Sequence, residues 1–136
     1  MFDLTGKTAV ITGGAGLLGK MHTEAILEFG GNVISTDIND KDNHRYMDIT
    51  DKSSIESIAN SLEKVDILIN NASLNPTMIN ESNNKFETFD LNRWNKSIEV
   101  NLTGAFLCSQ VFIKKMIENK TKGVIINIAS DLGIIA

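Results

Sequence analysis

"TAVITGGAGLLG", Thr8 to Gly19, is the stretch on which the reading of the whole chain turns. Its opening, "TAVIT", is a short β-branched and apolar run, which suits a strand buried on both faces. Glycines end the run. Beyond them Leu18, Met21, Ala25, Ile26 and Phe29 recur near helical spacing until Gly30 and Gly31 supply a stop, which predicts a helix from about Leu17 to Phe29. Between strand and helix, Gly14, Gly16 and Gly19 stand as G-x-G-x-x-G. In such a turn the first glycine permits the tight bend, and the second lets backbone approach a pyrophosphate with no Cβ in the way. The third packs helix against strand while the helix N-terminus faces phosphate charge. Gly13, Gly14, Gly16, Leu17, Leu18 and Gly19 are therefore candidate dinucleotide-binding residues.

The next strand, "NVISTD" (Asn32 to Asp37), strengthens that reading. Asp37 ends it eighteen residues past Gly19, where a carboxylate can accept hydrogen bonds from the ribose of an adenosine. A carboxylate so placed repels a 2′-phosphate, and no Arg adjoins it in sequence to reverse the preference. The expected cofactor is NAD, with NADP disfavoured.

Working outward, "INDKDNHR" is a brief polar connection with room for about a turn of helix before a third strand at "YMDIT". "TDKSSIESIANSLEK" offers Thr50 or Asp51 as N-cap, with Ile55, Ile58, Ala59 and Leu62 on one helical face. "VDILINNAS" reads as a fourth buried strand and "LNPTMINESNNKFETFD" as a surface loop. From Asp90, a candidate N-cap, apolar residues follow a long helical stripe that is interrupted near "NLTG", which predicts one bent helix. "VIINI" is a fifth strand. Strands alternating with helices define an α/β chain with a Rossmann-like, doubly wound parallel sheet.

The 136 residues fall within the range of one domain. A net charge of −4 with no basic stripe argues against nucleic acid as a partner. The N-terminus lacks the pattern of a signal peptide and no apolar run reaches the length of a bilayer span, so no membrane partner is expected and the cytoplasm is the expected location. Cys108 is the only cysteine and reads as a small buried apolar residue. His22 and His44 have no Asp or Cys at ligand spacing, so no metal site is expected. Trp94 and Phe106 fall on the apolar helical stripe, as core or subunit contact. Phe86 and Phe89 belong to the long loop, which either covers a ligand or is a plain surface insertion.

With these pieces in order, the chain resembles the short-chain dehydrogenase/reductase family over essentially its whole length. The glycine turn comes first. "DIT" (Asp48 to Thr50) resembles the family's adenine-contacting segment, which puts Asp48 and Ile49 in the candidate site. "NNAS" resembles the Asn-Asn-Ala-Gly motif and adds Asn71, Ala72 and Ser73. "VNLTGAF" carries the family's helix-embedded Asn at Asn101, and "NIAS" places its catalytic serine at Ser130. Two departures stand out. Leu17 occupies a position where the classical subgroup has glycine, a spacing more like the extended subgroup, and Ser73 replaces the last glycine of Asn-Asn-Ala-Gly.

The resemblance implies hydride transfer between nicotinamide and an alcohol or carbonyl carbon of a small molecule. Ser130 would hold the substrate oxygen, and Asn101 would support a water chain to a lysine that lowers the pKa of a catalytic tyrosine. It also implies a homo-oligomer assembled partly through the helix bearing Asn101. The Tyr-x-x-x-Lys pair itself has no match, because the single tyrosine, Tyr46, has Thr50 four residues on. The expectation is therefore an N-terminal part of a dehydrogenase, ending before its acid/base pair and inactive as it stands. A non-catalytic dinucleotide-binding module and a defective short product with an open fifth-strand edge are the competing readings.

Overall fold

Ala9, Val10 and Ile11 have no solvent exposure at all, and the strand they form, β1 (Thr8–Thr12), is the centre of a five-stranded sheet. The computed structural model describes residues 2–39, 44–74 and 85–130. Helix α1 (Leu17–Glu28) leads to β2 (Asn32–Asp37), and β3 (Arg45–Tyr46) precedes α2 (Lys52–Ser61) and β4 (Ile67–Asn70). After a 3-10 turn at Phe86–Thr88 come α3 (Leu91–Ile98), a π-helical segment (Glu99–Gly104), α4 (Ala105–Glu118) and β5 (Val124–Asn127). Every strand pair is parallel, in the order β3-β2-β1-β4-β5. The strand order reverses direction at β1, the switch point at which an open sheet of this kind leaves a crevice beyond its carboxyl ends.

The third strand is shorter than the sequence predicts. Only Arg45 and Tyr46 pair with β2, and Met47 adds one further bond from its amide to the Asp37 carbonyl. Asp48 then ends it, because its Oδ1 accepts from both the Thr50 amide (2.8 Å) and the Thr50 hydroxyl (2.7 Å), a local turn that competes with the ladder. Of the connection into β3, residues 40–43 lie outside the described residues.

Strand alternation decides which residues meet the helices. Val10 and Leu68 join Met47 and Ile49 in one cluster with Ile55, Ile58, Ala59 and Leu62 of α2 and Cys108, Val111, Phe112 and Met116 of α4. Of the two N-cap candidates for α2, Thr50 and Asp51, the structure uses Asp51, and Asp90 caps α3 as the sequence predicts. Asp51 accepts from the Ser53 amide and Asp90 from the Asn92 amide, each satisfying an otherwise orphaned donor. Helix α1 packs on β1 and β2, and its apolar stripe is only partly covered. Leu18 and Met21 are about half exposed, at 52% and 49%.

The interruption near "NLTG" is a wide π turn in an otherwise unbroken helical run from Leu91 to Glu118. Gly104 sits at its end because a Cβ there would lie 2.6 Å from Ile49 Cδ1. Trp94 and Phe106 are not core residues, being 55% and 61% exposed. Burial raises the pKa of Cys108 to about 12, so this thiol stays protonated and inert, as its apolar neighbours in sequence suggest. Strand β5 stands at the edge of the sheet with Val124 and Ile126 exposed.

Asp66 braces the opposite end of the sheet. Buried before β4, it accepts the Thr8 amide at 2.9 Å and faces the ammonium groups of Lys7 and Lys64, both at 3.5 Å. Burial alone would push this carboxyl up, but the Thr8 amide, Lys64 and Lys7 outweigh it and hold the pKa below its ordinary value. A depressed pKa means stability that is present above the unfolded value of about 4 and lost as pH falls through the folded one. Asp66→Asn should therefore destabilise the fold by about 1–2 kcal/mol at pH 7. In urea melts the gap to wild type should shrink below about pH 4, and a gap independent of pH would contradict this account.

Candidate functional site

The glycine turn is shaped by contacts that leave no room for side chains. Gly13 has φ +65°, and a Cβ on it would lie 2.7 Å from the Ala72 Cα. A Cβ on Gly14 would strike Ser35 Oγ, which is hydrogen-bonded to His44 Nδ1 at 2.7 Å. One on Gly19 would meet the backbone of Gly13 and Gly14. Gly16 is the N-cap of α1 and no side chain caps that helix, so its first amides are left for water or an anionic ligand. Gly14 and Gly19 thus work by packing. Gly13, Gly16, Leu17 and Leu18 line an open cleft along the carboxyl ends of the strands.

That cleft brings together most of the residues singled out from the sequence. Asp37, Asp48, Ile49, Asn71, Ala72, Ser73, Asn101 and Ser130 all line it. Phe86 and Phe89 are not among its lining residues; Phe86 is 95% exposed, and the Arg93 guanidinium lies 5.4 Å from the Phe89 ring centre. Asp37 reaches back to the turn, accepting from the Ala15 amide at 3.1 Å, while its other oxygen accepts from the amide and side chain of Asn39. A carboxylate tied at both oxygens is oriented before any ligand arrives.

Asn71 acts on the protein as well as facing the cleft, since its Nδ2 donates to the Thr12 and Gly13 carbonyls. Asn101 uses its amide differently from the helix-mending role that a bend suggests. Its Oδ1 accepts from the Leu74 amide at 2.7 Å and its Nδ2 donates to the Leu74 carbonyl at 3.0 Å, a two-point clasp between the π segment and the chain leaving β4. Ser130 follows β5 at the same end of the sheet.

Sequence reasoning passed over Thr12 and Lys96 here and left Asn70, the first residue of "NNAS", out of the candidate site. Thr12, 1% exposed, accepts through Oγ1 from the amides of Asn71 and Ala72. Asn70 donates to Asn127 Oδ1 at 2.8 Å and Ser109 Oγ at 3.0 Å, joining β4, β5 and α4. Lys96 lines the cleft from α3. A Thr at the last position of an apolar strand is the trace Thr12 leaves in sequence, and Asn70 opens the "NNAS" motif; Lys96 leaves none.

Comparison with known proteins agrees with this geometry. The family model described as short chain dehydrogenase matches residues 7–136, and the chain belongs to that family. It is 31% identical to a 2,5-dichloro-2,5-cyclohexadiene-1,4-diol dehydrogenase of Sphingobium indicum, over 99% of this chain and 58% of the relative. It is 34% identical to the 3-oxoacyl-[acyl-carrier-protein] reductase FabG of Rickettsia conorii, over 98% and 58% of the two chains. With an NAD-dependent glycerol dehydrogenase of Listeria innocua the identity is 33%, over 99% and 57%. Among solved structures, gox2181 superposes with a TM-score of 0.84 at 26% identity, covering 98% of this chain and 57% of that one. The chain thus spans a little over half the length of the relatives it matches.

Proposed function

We propose that the protein of which this chain forms part is an NAD-dependent oxidoreductase that moves a hydride between nicotinamide and the hydroxyl or carbonyl carbon of a small molecule. The carrying observation is the single cleft in which the glycine turn, Asp37, the Asp48–Thr50 turn, Asn71 to Ser73 and Ser130 meet. The residues fit such a cofactor. The amides of Gly16, Leu17 and Leu18 would hold the diphosphate, Asp37 the ribose hydroxyls, and Asp48 and Ile49 the adenine. Gly13, Gly14 and Gly19 keep the turn tight enough to permit it. Asn71, Ala72 and Ser73 would flank the nicotinamide side.

The bound nicotinamide would supply or accept the hydride. Ser130 would donate a hydrogen bond to the substrate oxygen, and Asn101, by clasping Leu74, would keep the loop beside it in place. The proton must come from a group of suitable pKa. Tyr46, in β3 and 57% exposed, is not among the residues lining the cleft, and the Tyr-x-x-x-Lys pair has no counterpart in these 136 residues. The chain by itself is therefore proposed to bind the dinucleotide without turnover. The three named relatives are, by name, a 2,5-dichloro-2,5-cyclohexadiene-1,4-diol dehydrogenase, a 3-oxoacyl-[acyl-carrier-protein] reductase and a glycerol dehydrogenase, whose named substrates share only an alcohol or carbonyl.

Self-association fits the apolar stripe of Leu91, Trp94, Ile98, Leu102 and Phe106, all exposed along α3, the π segment and the start of α4, since a patch of that kind marks an interaction surface. No helix among the described residues is long and apolar enough to cross a membrane, and a cytoplasmic location is proposed with the rest.

NADH and NADPH fluorescence titrations test the cofactor. NADH should bind at least ~10-fold more tightly than NADPH, because the Asp37 carboxylate opposes a 2′-phosphate. Asp37→Ala should narrow that ratio. Absence of NADH binding at millimolar concentration would sink the proposal.

A further inference from the structure

Lys96, Val100 and Gly104 follow one another at steps of four along α3 and the π segment. At Gly104 the helix backbone presses on Ile49 closely enough to exclude a Cβ. Val100 packs on the core cluster that holds Met47 and Ile49. One step earlier, Lys96 lines the same cleft as Met47, Asp48, Ile49, Thr50 and Val100. The two walls differ in rigidity. Asp48 is pinned through Thr50 and through its own amide, which donates to Ser54 Oγ at 3.0 Å. Among the described residues, Lys96 is anchored at Glu99 Oε2, at 2.8 Å, with 54% of its side chain exposed. The hydrogen bond it donates to Glu99, and after it the attraction of Glu99 and then Asp48, raise the pKa of the ammonium.

We infer that Lys96 is a further nucleotide-binding residue, whose methylene stem closes the slot opposite Ile49 and Thr50 over the purine of an adenosine phosphate while its ammonium faces the Asp48 wall. The inference rests on the proposed dinucleotide site. A long basic side chain suits the position, because its stem covers apolar surface while its head stays hydrated, and a cation at the rim draws an anionic ligand inward. The ion pair with Glu99 does not account for the residue's placement, since exposed pairs at this spacing add only a few tenths of a kcal/mol to a helix.

Calorimetric titration of the 136-residue chain with AMP and NADH tests this. Lys96→Met should raise the dissociation constant of both by about 3–10-fold, and Lys96→Arg should stay within about twofold of wild type. Lys114→Met is the control, as it removes the same charge from a helical ion pair with Glu118 outside the cleft lining, and it should leave both constants unchanged. If Lys96→Met binds as wild type does, or Lys114→Met loses as much, Lys96 has no such role although the dinucleotide site stands. If wild type takes neither AMP nor NADH, both readings fall together.

Discussion

Replacing Gly19 with alanine is expected to destabilise the fold by about 2–4 kcal/mol and to abolish dinucleotide binding at the same time. A Cβ at this position would lie 2.3 Å from the Gly13 carbonyl oxygen, 2.7 Å from Gly14 Cα and 2.9 Å from the Gly14 carbonyl carbon. All three are backbone atoms of the turn itself, so no side chain can rotate away to relieve the contact. Either α1 tilts off β1 or the turn opens, and each outcome spoils the amide cradle. Gly16→Ala is the paired comparison. Its Cβ would meet only the Gly13 oxygen, at 3.2 Å, which a small shift relieves. Urea unfolding and NADH titration of both variants decide the matter. Gly19→Ala melting with wild type, or Gly16→Ala losing as much stability, would contradict the account.

The second large effect is expected at Thr12. Its hydroxyl oxygen accepts from the amides of Asn71 at 3.0 Å and Ala72 at 2.9 Å, at a position 1% exposed. Valine has nearly the same shape but no acceptor, so Thr12→Val strands two part-buried amides at once. Each unsatisfied group costs about 1–3 kcal/mol, which gives a total of about 2–4 kcal/mol with some relaxation. Thr12→Ser keeps the oxygen and should lose about 1 kcal/mol for the missing methyl. The order wild type, Ser, Val in midpoint denaturant, with an unchanged denaturant slope, is the expected result; Val equal to or above Ser would show that the two amides find other partners. The same bonds align the chain entering Asn71 to Ser73, so NADH affinity should fall in the same order.

Both effects arise where β1 meets the cleft, and they divide what was legible in the sequence from what was not. The strand, turn and helix over Thr8–Glu28, the bounds of β2, the cap at Asp90 and, to within one residue, the cap at Asp51 were legible, because each depends on neighbours a few residues away. The cleft membership of Asp37, Asn71, Asn101 and Ser130 was legible through an ordered set of motifs. The shortness of β3 was not, since Asp48 reads equally well as a strand residue or as the start of a turn. Nor was the exposure of Leu18, Met21, Trp94 and Phe106, because a helical stripe says that a face is apolar and not what lies against it.

The sequence by itself determined the alternation of strands and helices, and with it the parallel sheet and the phosphate-ready turn. Periodicity and capping act within a few residues, and chain chirality then allows few ways to wind the elements together. Only the tertiary structure decided that Thr12 serves Asn71, that Asn101 clasps Leu74, and that Lys96 lines the same cleft as Asp48. Those pairs are separated by 27 to 60 residues for the bonded groups, and a hydroxyl, amide or ammonium selects among many equivalent partners. Assembly of the sheet makes that selection by bringing the carboxyl ends of its strands together.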